Sequence, residues 1–214
     1  MSFDWLPNAA FIIQGTVTTL EYTLLSVSGG VILGLLLAFA KLSHHKSIQW
    51  AAQFYTSIFR GTPLLLQLFI VYFGIPNLTG YQIGVFPAGV IAFSLNSAAY
   101  ISETMRAGIQ SIDKGQFEAA HVLGISKFLT MRDIILPQAV RIILPALVNE
   151  MISMLKETAL ISTLGELDIM KRANEVAAQT YHYFEPLIIA AISYYLLVLL
   201  LTYILKCIEK RQLA

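Results

Sequence analysis

Charge is scarce in this sequence. Only 13% of its 214 residues are Asp, Glu, Lys or Arg, and 57% are hydrophobic, whereas a soluble globular domain carries about 25% charge. A single water-facing core does not account for such a chain, but helices that span a bilayer do. Cysteine is almost missing too. Cys207 stands alone, which excludes a disulfide framework within the chain. No Cys/His cluster has metal-ligand spacing, and the four histidines, His44, His45, His121 and His182, fall outside the apolar runs, where solvated positions are expected. No G-x-x-x-x-G-K-[ST] loop occurs, so no phosphate cradle for ATP is encoded here. The opening residues MSFDWLPNAAF lack the basic region of a cleaved leader, and the first apolar run is expected to stay as a span.

What the chain does have is long apolar runs. A span needs about 20 mostly apolar residues, and five stretches qualify, roughly 11–40, 54–75, 85–109, 139–164 and 183–206. They predict an all-α integral membrane protein with five transmembrane helices and one domain over 1–214. With the N-terminus outside, eleven of the 14 Lys and Arg residues lie on or near the inner face, Arg60 counted among them. Only Lys171 and Arg172 fall outside, and Lys156 lies within the fourth span. That asymmetry predicts an external N-terminus and a cytoplasmic C-terminus.

The cytoplasmic stretch 110–137 then reads as two short helices meeting at a glycine. QFEAAHVL stops at Gly124, which suits a left-handed helix end, and Ser126 caps KFLTMRDIIL. Pro137 is expected to limit how far that second helix continues. Ala119 and Ala120 would let another surface approach the backbone, Phe117, Val122 and Leu123 would anchor it, and Glu118, His121, Lys127 and Arg132 offer polar partners. An amphipathic loop lying on the membrane is the plainer reading of the same residues.

The spacing Glu118-Ala119-Ala120, Gly124, Ile134 and Leu136-Pro137 resembles the EAA loop of ABC-importer permease subunits. FRGTPLLLQLFIVYFGIP (59–76), NSAAYISETMRAGI (96–109) and NEMISMLKETALIS (149–162) resemble the polar amino-acid subfamily, so the likeness covers nearly the whole chain. It implies the type I importer fold and a coupling role for Glu118, Ala119, Ala120, Gly124, Ile134 and Pro137. It also implies no enzyme activity and no cofactor in this chain, with ATP and Mg held by a cytoplasmic ABC ATPase dimer. The further partners implied are a second permease subunit, identical or homologous, an extracytoplasmic amino-acid-binding protein and membrane lipid. No nucleic acid is expected.

Polar residues at bilayer depth face a bundle interior or an aqueous cavity. Asn96 and Ser97 fall about 15–18 Å into the third span, and Tyr100 and Glu103 share the face of Asn96. Asn149 and Glu150 reach similar depth in the fourth span, and Ser153 continues their face. These seven residues are the candidate substrate site. Each has a structural alternative: Asn96 and Ser97 bonding a neighbouring helix, Glu103 pairing with Arg106 at i+3, Glu150 as a hydrogen-bonded acid without ligand. Glu150 is the sharpest candidate, because no basic residue lies three or four positions away. Lys156 and Glu157 read either as a gate or as a structural pair. The RGTP segment, Arg60 to Pro63, reads either as a static kink or as a hinge.

The resulting expectation is the permease subunit of an ATP-driven importer for polar, preferably basic, amino acids, working by alternating access in the inner membrane. Cystine or glutamine as substrate is the variant within that class. A secondary carrier driven by an ion gradient is the alternative outside it, favoured by the carboxylates Glu103, Glu150 and Glu157 and opposed by the lack of an inverted repeat. A membrane scaffold without transport is a third.

Overall fold

A computed structural model describes residues 4–213. Among the described residues the chain forms helices and no strands. The all-α expectation holds. Helix α1 runs over Trp5–Lys41, which at 1.5 Å per residue is about 55 Å, well beyond the ~30 Å hydrocarbon core. It starts before the stretch read as the first span, because Pro7 falls in the first turn, where its missing N–H costs no intrahelical bond. Helix α2 is Lys46–Gly61 and α3 is Leu64–Thr79, with a 106° bend at the break between them. Helices α4 (Val85–Gln110), α5 (Lys114–Val122), α6 (Lys127–Leu164), α7 (Ile169–Thr180) and α8 (Phe184–Leu213) complete the order.

The run expected as a second span is thus divided between α2 and α3. Thr62 and Pro63 adopt extended backbone there, as a residue before proline and the proline itself favour. The break is not at the inner membrane surface. Asn96 bonds the Phe59 carbonyl and Tyr55 bonds the Leu95 carbonyl at 2.7 Å, so α2 climbs beside α4 to the depth of Asn96 before the chain turns. Arg60, counted with the cytoplasmic charges, therefore starts from this deep break.

Pro137 does not limit the helix that Ser126 begins. Thr130–Ile135 form a π-helical turn and α6 continues through Pro137 to Leu164. The wider turn carries an i→i+5 bonding pattern, which makes room for a residue that has no N–H and a bulky ring. The same arrangement precedes Pro76, where Ile70–Gly74 is π-helical.

Helix α4 is the centre of the bundle. Of its most apolar window 61% is buried, against 17–28% for α1, α6 and α8. Beside the middle of α1, Tyr22, Leu68, Ala92, Phe93, Met154 and Ile161 pack together. Beside its C-terminal end Ala38, Ile101, Ile109, Ile135 and Ile143 do. Helix α7, which no span pattern indicated, docks its apolar stripe of Ile169, Ala173 and Val176 on Ile12 and Ile189. The remaining apolar faces, such as Leu24, Ile32 and Leu36 of α1 and Ile192, Leu196 and Leu200 of α8, stay exposed, as lipid-facing residues do. Small residues let α1 press on α4: a Cβ at Gly30 would lie 2.8 Å from Ser97 Oγ, a distance that requires displacement.

Candidate functional site

The seven candidate residues separate into three environments. At the depth of the break, α4 and α6 face each other, and the Ser97 hydroxyl donates to Glu150 Oε1 at 3.0 Å. Ser97 is fully buried, whereas Glu150 is half-buried and its neighbours Asn149 and Ser153 are exposed. Among the described residues Glu150 makes no ion pair. The close approach of Gly30 holds Ser97 in place, so the donor is positioned by backbone packing rather than by a flexible contact.

Asn96 sits one residue away but turns to the helix break. Its amide donates to Gln67 Oε1 at 3.0 Å and to the Phe59 carbonyl at 3.2 Å. The Gln67 amide donates to Phe59 O at 2.9 Å, Thr62 O at 3.1 Å and Thr62 Oγ1 at 2.9 Å. Carbonyls at the end of α2 have no intrahelical partner and no bulk water at this depth, and these two amides satisfy them. Asn96 and Gln67 hold the bend. Arg60 lies in the last turn of α2, where a cation complements the negative pole of the helix dipole. Tyr100, one turn further in, is 39% exposed and carries the Arg60 guanidinium 5.4 Å above its ring.

Glu103 is elsewhere again. Its Oε1 accepts from Lys41 Nζ at 2.8 Å, and its Oε2 accepts from Arg106 Nη2 at 2.7 Å and Nε at 3.1 Å. Lys41 also donates to Ser102 Oγ at 2.7 Å. The i+3 pair with Arg106 was legible in the sequence; Lys41, 62 positions away from Glu103, was not.

On the α5–α6 corner Gly124 adopts φ +71°, the left-handed end its position required. Ser126 Oγ accepts from the Leu129 amide at 3.4 Å, and Asp113 Oδ1 caps α5 from in front by accepting from Gly115 N at 2.6 Å. Glu118 and Ala119 are exposed, Ala120 is buried, Ile134 is half-buried and Pro137 is exposed. Val122, Leu123 and Phe128 project almost bare, at 85%, 75% and 71% exposure. Three such side chains about one turn form an exposed apolar patch of the kind that protein or membrane interaction sites carry. Phe117 is not among them and instead packs against the core of Ala38, Ile101 and Ile109.

Two polar groups of the fold lie outside the seven candidates. Gln67 is the one polar residue in LLLQLF, and a lone amide at bilayer depth is a usable signal. Asp168, beyond the end of α6, is fully buried. It accepts from Lys171 N at 2.7 Å and from the Tyr194 hydroxyl at 3.2 Å. Burial pushes its carboxyl up to about 6, against the opposing pull of these donors. Beside it Arg172 donates to Gln14 Oε1 and the Phe11 carbonyl, each at 3.2 Å, tying α7 to α1. No group of three or more His, Cys, Asp or Glu side chains able to hold a metal occurs among the described residues.

Residues 30–213 match the family described as the inner membrane component of binding-protein-dependent transport systems. A putative glutamine transport system permease protein of Rickettsia conorii is 54% identical over 207 residues, covering 97% of this chain and 95% of the relative. The arginine transport system permease protein ArtQ of Bacillus subtilis is 52% identical over 206 residues, covering 96% and 94%. Among solved structures, an amino acid ABC transporter crystallised with histidines matches with a TM-score of 0.93 and 43% identity over 99% of this chain and 100% of that one. The methionine ABC transporter MetNI, in an inward-facing form, matches with a TM-score of 0.76 over 97% of this chain and 99% of that one. At 19% identity that second match speaks for the fold alone.

Proposed function

The chain belongs to the family of inner membrane components of binding-protein-dependent transport systems, and from that premise we propose that it is the permease subunit of an ATP-driven importer that carries polar amino acids inward, basic ones preferentially. The observation that carries the choice of substrate is Glu150, a half-buried carboxylate at mid-bilayer depth with one hydroxyl donor and no ion pair among the described residues. An ionised carboxylate in that setting is costly alone. A cationic side chain relieves the cost by pairing with it. Exposed Asn149 and Ser153 offer hydrogen bonds beside it.

The rest of the machine lies in other chains. Two ATPase subunits with their ATP and Mg dock one on each permease, at the α5–α6 corner, where Glu118, Ala119 and Gly124 form the contact, buried Ala120 packs the corner from beneath, and Ile134 and Pro137 set the angle of the helix behind it. A second permease, identical or homologous, covers the open face of α6. An extracytoplasmic binding protein delivers the amino acid to the outer side, with the N-terminus external and the C-terminus cytoplasmic.

Glutamine is the second reading, favoured by the rickettsial relatives, whose names give glutamine transport as their putative function. The two are separated by uptake of labelled arginine, lysine, histidine and glutamine into proteoliposomes, wild type beside Glu150→Gln. Loss of a charge-assisted hydrogen bond, about 1.5–3 kcal/mol, lowers uptake of the basic substrates at least tenfold and spares glutamine. An equal decline for all four makes Glu150 a contact to the shared α-amine or a structural residue. Unimpaired arginine and lysine uptake removes it from the site.

A further inference from the structure

At the inner end of the bundle a cavity of about 350 Å³ opens between the end of α1, the first turns of α2 and the last turns of α4. Its walls are Lys41, Gln49, Gln53, Glu103, Arg106 and Gln110, every one polar. This is not the Glu150 site. Glu103 lies two helical turns from Ser97 toward the inner surface, and no carboxylate other than Glu103 lines the cavity.

The charge does not balance. Lys41 and Arg106 both pair with the single carboxylate of Glu103, which leaves one positive charge over. The Lys41 side chain is only 1% exposed and that of Arg106 36%, so water compensates the first poorly. Donors are also in excess. Lys41 directs N–H groups at Glu103 and Ser102, and an ammonium has a third. Arg106 directs three of its five at Glu103 and Gln110. Gln110 accepts that bond through its oxygen, leaving its amide N–H groups without a partner, and the Gln53 side chain makes no hydrogen bond among the described residues. A polar cleft with surplus cation and surplus donors selects an oxyanion, which accepts charge-assisted bonds from several directions.

We propose that this cavity is an oxyanion-binding site, separate from the substrate site, that takes the carboxylate or phosphate group of a small solute or of an anionic lipid headgroup. Its placement on the cytoplasmic side rests on the importer reading; its chemistry does not. Bound there, the anion ties α1, α2 and α4 together at their inner ends, where Gln49 already holds the α1–α2 turn by donating to the Ser43 carbonyl at 2.5 Å.

The test uses the purified transporter complex in nanodiscs and follows the thermal unfolding midpoint at constant ionic strength. One arm has purely zwitterionic lipid and is titrated with inorganic phosphate or acetate against chloride. The other replaces part of the lipid with phosphatidylglycerol. Gln53→Glu places a negative charge at an exposed wall position without touching the Lys41–Glu103–Arg106 pairs, so it keeps the fold, and Arg106→Gln removes a donor outright. A rise in the wild-type midpoint with the soluble anions identifies a free solute, and a rise only with phosphatidylglycerol identifies a lipid. In either case Gln53→Glu requires at least fivefold more anion for the same rise. No response in either arm, or one equal in wild type and Gln53→Glu, overturns the proposal. No transport is measured, so this outcome and that of the uptake assay are independent.

Discussion

At residue scale the deep polar groups divide into those with specific partners and those without, the buried hydroxyls of Thr19, Tyr22 and Ser26 on α1 having none among the described residues. Asn96 and Gln67 are engaged on both sides by the break, whereas Glu150 has one hydroxyl. Asp168 is the outer counterpart, fully buried with its carboxyl raised from 3.8 to about 6. A carboxyl with a raised folded pKa binds its proton more tightly folded than unfolded. The stability contributed by this one carboxyl is therefore greatest below about pH 4, falls as pH rises toward about 6, and is level above; its full loss is at most roughly 3 kcal/mol. Asp168→Asn keeps an acceptor for the Lys171 amide and removes the charge. Its thermal midpoint between pH 7.5 and 4.5 is expected to vary less than the wild type's, and an unaltered pH slope would refute this. Sequence reasoning reached Glu150 and Ser97 because depth along a helix is countable. It did not reach Lys41 as the partner of Glu103, because two helices had to be packed before that contact existed. Nor did it reach Asp168, whose burial depends on α7 folding back over α1.

At the scale of elements, prolines were legible as interruptions but not in kind. Pro63 turns the chain by 106° because the end of α2 finds amide donors in Gln67 and Asn96 and has no need to continue. Pro137 turns nothing, because a π-helical turn absorbs it and delivers the α5–α6 corner on the end of a rigid rod. Gly124 at φ +71° tolerates a side chain at a cost of about 1 kcal/mol or more, and a β-branched one worse. Gly124→Val and Ala119→Trp are expected to lower recovery of the ATPase on purified membranes severalfold while the permease still inserts. Normal recovery with normal transport in both variants would refute the docking role.

At the scale of the whole molecule, a central α4 ringed by helices with exposed apolar backs leaves an open polar face on α6, that of Asn149, Ser153, Lys156 and Glu157. The membrane class and the number of apolar runs followed from composition and spacing alone, since lipid demands long, self-satisfied helices. How the spans pair did not, because close packing of Gly30 on Ser97 and of Gly89 on Tyr22 carries no periodic signature. The central claim is that this bundle is driven from outside itself, by ATP hydrolysed on a docked partner. The direct measurement is uptake of labelled arginine and glutamine into proteoliposomes holding the permease with its ATPase, in the presence of the binding protein. Ion gradients are collapsed by ionophores, and ATP is either enclosed or omitted. The account predicts accumulation that requires ATP and binding protein and survives the ionophores. Accumulation without ATP that the ionophores abolish would contradict it.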